Sequence, residues 1–199
     1  MTTLFLVRHG ETDWNRDRRI QGSTDIALND TGRQQARDAA AALGLEIGDS
    51  APVIVSSDLG RARETARIIA ETLGVPLGDA YPELRERAYG DAEGVDTDEF
   101  ARRWGDWYSA EIPGAEPWAA LRTRAVRGMR RVARDVRRSD APTAPVVVVT
   151  HGALIREVIR HATAGELPPP GERLANGASF RFLLERERLS MQTYAGSAL

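Results

Sequence analysis

Two short apolar runs, far apart in the chain, close on the same dipeptide. Near the start stands Thr3-Leu4-Phe5-Leu6-Val7-Arg8-His9-Gly10, and late in the chain Val146-Val147-Val148-Val149-Thr150-His151-Gly152. A segment with helical spacing follows each of them. Continuous apolar runs of this kind are typical of parallel strands buried on both faces. In an open α/β sheet the carboxyl ends of such strands form the ligand crevice, usually where strand order reverses. If the two strands are neighbours, His9 and His151 face one pocket from opposite ends of the sequence.

The rest of the chain fits around that pair. Asn29-Asp30-Thr31-Gly32 signals a helix start, followed by Ala36, Ala39, Ala40 and Leu43 at helical spacing. Val53-Ile54-Val55 reads as another buried strand, with Asp58 placed to cap a helix carrying Leu59, Ala62, Ala66, Ile69 and Leu73. Residues 75 to 117 read as irregular, broken by Pro76, Pro82, Pro113 and Pro117. A long amphipathic helix then runs from Trp118 to about Val136. The tail alternates Ala178, Phe180, Phe182 and Leu184 against Leu189, Met191 and Thr193, as an antiparallel hairpin should. The sum is an α/β fold of three layers, α/β/α, around a mostly parallel sheet with an antiparallel edge.

Composition narrows the chemistry. The 199 residues suit one domain with a substantial core, spanning 1–199. Cysteine is absent, which excludes disulfides and thiolate metal sites and suits a cytoplasmic setting. The run from Leu4 to Val7 is too short for a signal peptide or membrane span. A formal net charge of −2 gives no global attraction to nucleic acid or to a membrane surface. All 27 basic residues are arginine, so no mechanism can use a lysine. Eight of them lie between Arg122 and Arg138 with Asp135 as the only acid, a pattern read as a solvated helix face.

Four segments carry the chemistry. They are Arg8-His9-Gly10-Glu11-Thr12-Asp13-Trp14-Asn15 with Gln21-Gly22, then Ser56-Ser57-Asp58-Leu59-Gly60-Arg61, then Leu84-Arg85-Glu86-Arg87-Ala88-Tyr89-Gly90-Asp91-Ala92-Glu93-Gly94, and finally Val149-Thr150-His151-Gly152. Together, and in this order, they resemble branch 1 of the histidine phosphatase superfamily, the phosphoglycerate mutase-like proteins. The resemblance implies that fold, and a phosphatase acting on small phosphorylated metabolites with neither metal nor cofactor. It implies His9 as nucleophile, forming a phosphohistidine, with Arg8, Arg61 and His151 on the phosphoryl oxygens. It makes Glu86 the proton donor to the leaving oxygen, a role that needs a raised carboxyl pKa. Asn15, Gln21, Gly22 and Gly152 would complete the phosphate pocket, and Arg87 would meet the substrate.

Physical chemistry agrees with these roles. Phosphoryl transfer needs an in-line nucleophile, cations on the equatorial oxygens and a proton for the leaving oxygen. Arginine supplies planar, permanently charged forks for the second requirement. The same cations should lower the pKa of His9 and keep its attacking nitrogen unprotonated.

The resemblance further implies that residues 85–118, which hold Trp104, Trp107, Tyr108 and Trp118, form a cap over the pocket and select the leaving group. Arg87, Arg102 and Arg103 in that segment point to a substrate with a second anionic group. Two departures border this side: Ala92 stands where relatives often have a bulky aromatic, and Gly114-Ala115-Glu116-Pro117 replaces a frequent Gly-Glu-Ser. A mutase remains an alternative, although true mutases resemble longer chains with a substrate lysine. A catalytically weak phosphate-binding or scaffold protein is another. Exposed apolar residues on the long helix leave a homodimer open.

Overall fold

The computed structural model describes residues 1–186, 188–194 and 197–198. Among the described residues, seven strands form one sheet in the order β3-β2-β4-β1-β5-β6-β7. They are β1 (Thr2–Arg8), β2 (Val53–Ser56), β3 (Leu77–Ala80), β4 (Val146–Thr150), β5 (Ser179–Glu185), β6 (Arg188–Tyr194) and β7 (Ser197–Ala198). The first four run parallel, whereas β5, β6 and β7 make the antiparallel edge. The two His-Gly strands are direct neighbours, in a register that sets Arg8 opposite Thr150.

The described residues also form six α-helices: α1 (Asp13–Arg16), α2 (Asp30–Ile47), α3 (Gly60–Leu73), α4 (Thr97–Trp104), α5 (Trp118–Arg137) and α6 (Gly152–Ala162). Alternation along the central strands builds the layers. Leu4, Leu6, Val146 and Val148 pack with Leu121, Met129 and Val132 of α5 and with Leu154 and Val158 of α6. Phe5, Val7, Val147 and Val149 turn to the opposite face, against Ala40 and Leu43 of α2 and Ala62, Ala66 and Ile69 of α3. Both faces of β1 and β4 are thereby covered, which is why their sequences lack polar alternation.

Several local expectations change. The stretch from 75 to 117 is not wholly irregular, since it contains β3 and α4. The latter begins under Asp96, whose carboxylate accepts the Asp98 and Glu99 N–H groups. It buries only Phe100 of its eight residues, so its periodicity is weak. Phe100 joins Ile20, Tyr89, Ala92 and Ile112 in a small cluster apart from the two main cores. Asp58 does not cap α3, because Arg85 holds it at 2.6 and 2.7 Å. Asp25, from the loop before α2, accepts the Gly60 N–H instead at 2.6 Å.

Leu121, Ala125, Met129, Val132, Ala133 and Val136 of α5 are buried in the core and Val126 is half-buried, so this stripe is not the exposed apolar face expected from the sequence. Nor is the arginine face of α5 simply solvated. Arg122 reaches the buried Glu157 at 2.7 Å, Arg131 reaches Glu83 at 2.6 Å, and Arg124 turns toward the loop at Glu86. Among the described residues no helix is long and apolar enough to cross a membrane.

The His-Gly corner depends on the absence of a side chain. A Cβ on Gly10 would sit 2.2 Å from the Gly32 carbonyl oxygen in the first turn of α2. Relief requires moving backbone, so Gly10→Ala should lower unfolding stability by about 1–3 kcal/mol in urea titrations. Gly44→Ala, in the interior of α2 with only the Leu73 side chain nearby, should be neutral or stabilising by up to about 1 kcal/mol.

Candidate active site

Register brings the two histidines together. The His9 N–H donates to the Thr150 carbonyl at 2.9 Å, continuing the β1–β4 ladder by one residue. The imidazoles of His9 and His151 lie edge to face, 5.2 Å between centroids. Both are buried. His9 Nδ1 stands 2.7 Å from the Gly10 carbonyl oxygen, which can only accept. Nδ1 therefore carries the proton, and Nε2 keeps its lone pair. His151 is fully buried beside His9, and neither of its ring nitrogens meets a hydrogen-bond partner among the described residues.

Two arginines flank this pair, and carbonyl oxygens are their closest acceptors. Arg61, 1 % exposed, enters from the first turn of α3. Its two terminal nitrogens donate to the carbonyls of Thr24 and Gly22, each at 2.8 Å. Asp25 is its nearest acid, at 3.5 Å. Arg8, at the end of β1, donates to the Leu174 carbonyl. Its Nε and that of Arg61 have no partner among the described residues. Gly152 leaves room for the Arg8 guanidinium, since a Cβ there would approach Arg8 Nε to 3.3 Å. Carbonyls satisfy these N–H groups without cancelling their charge, so the positive field stays available to an anion.

That field acts on the histidines, although burial does more. His9 is pushed well below the ordinary histidine range, first by desolvation and then by Arg61 and Arg8. His151 is lowered likewise by burial, then by Arg61, His9 and Arg8. Burial also lowers Arg8 to about 10.

Glu86 faces the histidines from the loop after Pro82–Leu84. One carboxylate oxygen accepts the Arg87 and Leu154 N–H groups at 2.9 and 3.2 Å, and the other accepts that of Ala153 at 3.0 Å. The carboxylate thus sits over the N-terminal turn of α6, where backbone donors fix its position. Arg124 braces the loop from α5 by donating to the carbonyls of Glu83, Arg85 and Glu86, while its fork holds Glu116 at 2.6 and 2.8 Å.

The cavity in front of His9, about 360 Å³ in volume, is lined by Arg8, His9, Asn15, Gln21, Gly22, Arg61 and Glu86. Gly152 borders the adjoining space. Arg87 lines neither. It is buried, donates to the Glu116 carbonyl at 2.7 Å, and lies between the Tyr89 and Trp118 rings at 4.7 and 4.2 Å. Arg102 and Arg103 are exposed on α4 and line neither space, and Arg103 is paired with Glu99.

Sequence reading missed three groups. Asn176 donates to the His9 carbonyl at 2.9 Å and to Asn15 Oδ1 at 3.2 Å, and only its place in an Asn-Gly pair ahead of the last hairpin hinted at it. Glu93 ties Ser23 and Thr24 to Tyr89, joining two loops of the pocket rim. Arg173 lines the cavity from the loop before β5, and no motif marked it.

The buried neutral histidines have a thermodynamic consequence. Below the ordinary histidine pKa of about 6.5, the unfolded chain binds protons that the folded chain excludes, so stability should fall as pH drops. Each group contributes up to about 1.4 kcal/mol per pH unit in that window. Denaturant titrations between about pH 7 and pH 5 should show this slope, reduced by roughly half in His151→Gln. An unchanged slope would show that His151 is not held neutral.

Comparison with known proteins gives this geometry a family. A model of the histidine phosphatase superfamily (branch 1) matches residues 4–195. The chain is 36 % identical over 195 residues to the Bacillus subtilis (strain 168) protein "Uncharacterized phosphatase PhoE", covering 98 % of this chain and 94 % of that one. It is 38 % identical over 173 residues to a "Metal-independent phosphoserine phosphatase" of Arabidopsis thaliana, covering 82 % and 69 %. A mycobacterial glucosyl-3-phosphoglycerate phosphatase superposes with a TM-score of 0.80 at 27 % identity, over all of both chains. With two His-Gly strand ends side by side and a family match over nearly its whole length, the chain belongs to branch 1 of the histidine phosphatase superfamily.

Proposed function

We propose that this phosphatase-family protein hydrolyses small organic phosphomonoesters, without a metal ion, through a phosphohistidine on His9. The observation that carries the reading is the hydrogen bond from His9 Nδ1–H to the Gly10 carbonyl, which leaves Nε2 as a free nucleophile in the field of the buried Arg61 and the half-buried Arg8. Nε2 attacks phosphorus as the ester P–O bond breaks, and Glu86 gives its proton to the departing oxygen. Glu86 then takes a proton from water, which attacks the phosphohistidine and releases inorganic phosphate with His9 restored. Arg8 and Arg61 hold the equatorial oxygens through planar forks. The unpartnered N–H of His151, whose ring packs against that of His9, supplies a further donor once a phosphoryl group brings an acceptor within reach. The cavity is the size of a metabolite, which favours small substrates over folded proteins. Residues 85–118, with Tyr89 and Trp107 on the cavity wall, act as the cap.

The test is turnover of para-nitrophenyl phosphate in EDTA. His9→Ala should abolish it. Glu86→Ala should cost about 10²–10⁴-fold on esters with poor leaving groups and less on the nitrophenyl ester. A wild type that is silent here, but converts 3-phosphoglycerate to 2-phosphoglycerate when primed with the bisphosphate, would turn the reading to a mutase.

Arg124 should behave as a positioning residue for Glu86. Replacing it with Met should lower kcat by roughly 10–10²-fold, as small misplacements of a reacting group do. KM should change little, and the loss should grow with leaving-group pKa. Lys, which cannot span three carbonyls and Glu116 together, should rescue only weakly. A loss independent of the leaving group would mean that Arg124 serves stability alone.

A further inference from the structure

The cavity in front of His9 opens into a second compartment, also about 360 Å³. Glu86, Arg8, Tyr89, Trp107 and Arg173 belong to the walls of both. His9 and Arg61 line only the first, whereas Tyr108, Trp118 and Arg156 line only the second. Glu86 therefore stands at the doorway. With phosphorus at His9, a leaving oxygen that takes its proton from Glu86 carries the rest of its molecule into the second compartment.

The walls of that compartment define what it accepts. Tyr89 stacks with Trp107 at 5.4 Å, and Tyr108 with Trp118 at 5.2 Å. Arg87, wedged between Tyr89 and Trp118, keeps these rings in place and is itself withdrawn from the space. Such a surface suits a flat or apolar body. The charges are unequal. Arg156 donates to the Glu172 carbonyl, and the Glu172 carboxylate stands near Tyr194, whose pKa is raised by burial and then by this neighbour. Arg173 has no ion pair among the described residues, and its side chain is exposed. It is close enough to Arg8 to disfavour the Arg8 charge. An anion between them would relieve that repulsion, and the phosphoryl group, held deeper by Arg8 and Arg61, leaves Arg173 to a second one.

We propose that the second compartment is the leaving-group subsite, and that Arg173 makes it select phosphomonoesters whose leaving group bears a carboxylate on a flat or apolar body. The proposal rests on the phosphatase reading and extends it to a substrate class. It also moves anion selection from the arginines of α4 to the loop before β5, because Arg102 and Arg103 do not reach the compartment.

Two substrates of nearly the same shape test it: 4-carboxyphenyl phosphate and its neutral isostere, 4-carbamoylphenyl phosphate. The wild type should favour the carboxylate by about tenfold in kcat/KM, mainly through KM, as expected of one charge-assisted contact. Arg173→Gln should erase that preference, Arg173→Lys should keep part of it, and Arg102→Gln should leave it as in the wild type. Equal kcat/KM for the two esters in the wild type, or a preference that survives Arg173→Gln, would overturn the subsite while leaving the phosphatase reading intact. Hydrolysis of neither ester would overturn both.

Discussion

The parallel pairing of β1 with β4 is the constraint on which the site depends. Its register sets Arg8 beside Thr150 and hence His9 beside His151, joining residues separated by most of the chain. Each strand is apolar on both faces, so the pair is stable only between two helical layers, and its polar ends emerge only where the strands stop. A one-residue slip would exchange the inward faces of β1 and misplace the arginine as well as the histidine. Folding and the geometry of the candidate site are therefore enforced by the same packing. Gly10 and Gly152 let the chain turn away from the sheet without a Cβ crowding either corner.

Electrostatics follows from how the buried cations are satisfied. An arginine paired with a carboxylate would be stable and nearly inert toward phosphate. Here the Arg61 terminal nitrogens donate to the Gly22 and Thr24 carbonyls at 2.8 Å with Asp25 farther away at 3.5 Å, and Arg8 donates to the carbonyl of Leu174. The guanidiniums keep their charge while their N–H groups are largely paired. The cost appears as desolvation, which lowers Arg8 and both histidines. Burial outweighs the neighbouring cations in depressing His9. A sequence shows which charges are present but not how deep they lie, so the direction of that shift was legible while its main cause was not.

The same distinction explains what the sequence revealed elsewhere. Long apolar runs, the Asn29 helix start and the alternating tail hairpin were readable because each is a local pattern. The family match likewise rests on short contiguous segments around His9, Arg61, Glu86 and His151. By contrast, α4 buries a single side chain and left almost no periodic signal. Asp25 displaced Asp58 as the α3 cap because Arg85 engages Asp58, a competition between residues distant in sequence. Arg87 was read as a substrate contact from its place in the segment 85–118, but the aromatic residues packed around it withdraw it from the cavity. Arg173, which does border the cavity, sits in a loop with no motif.

The arginine-only composition takes on a different meaning in three dimensions. On α5 it resembles a solvated charge face, and several of its members do reach solvent. Yet Arg124 spans four partners from one side chain, gathering the Glu83, Arg85 and Glu86 carbonyls while gripping Glu116. A lysine ammonium, with three donors at a single point, cannot bridge that set. Glu86 is then held from two directions, its carboxylate by the N-terminal turn of α6 and its backbone by α5. Both helices pack on the same face of β1 and β4. The distance between Glu86 and the histidines is thus set by the core itself, and a loop residue acquires the rigidity of the sheet.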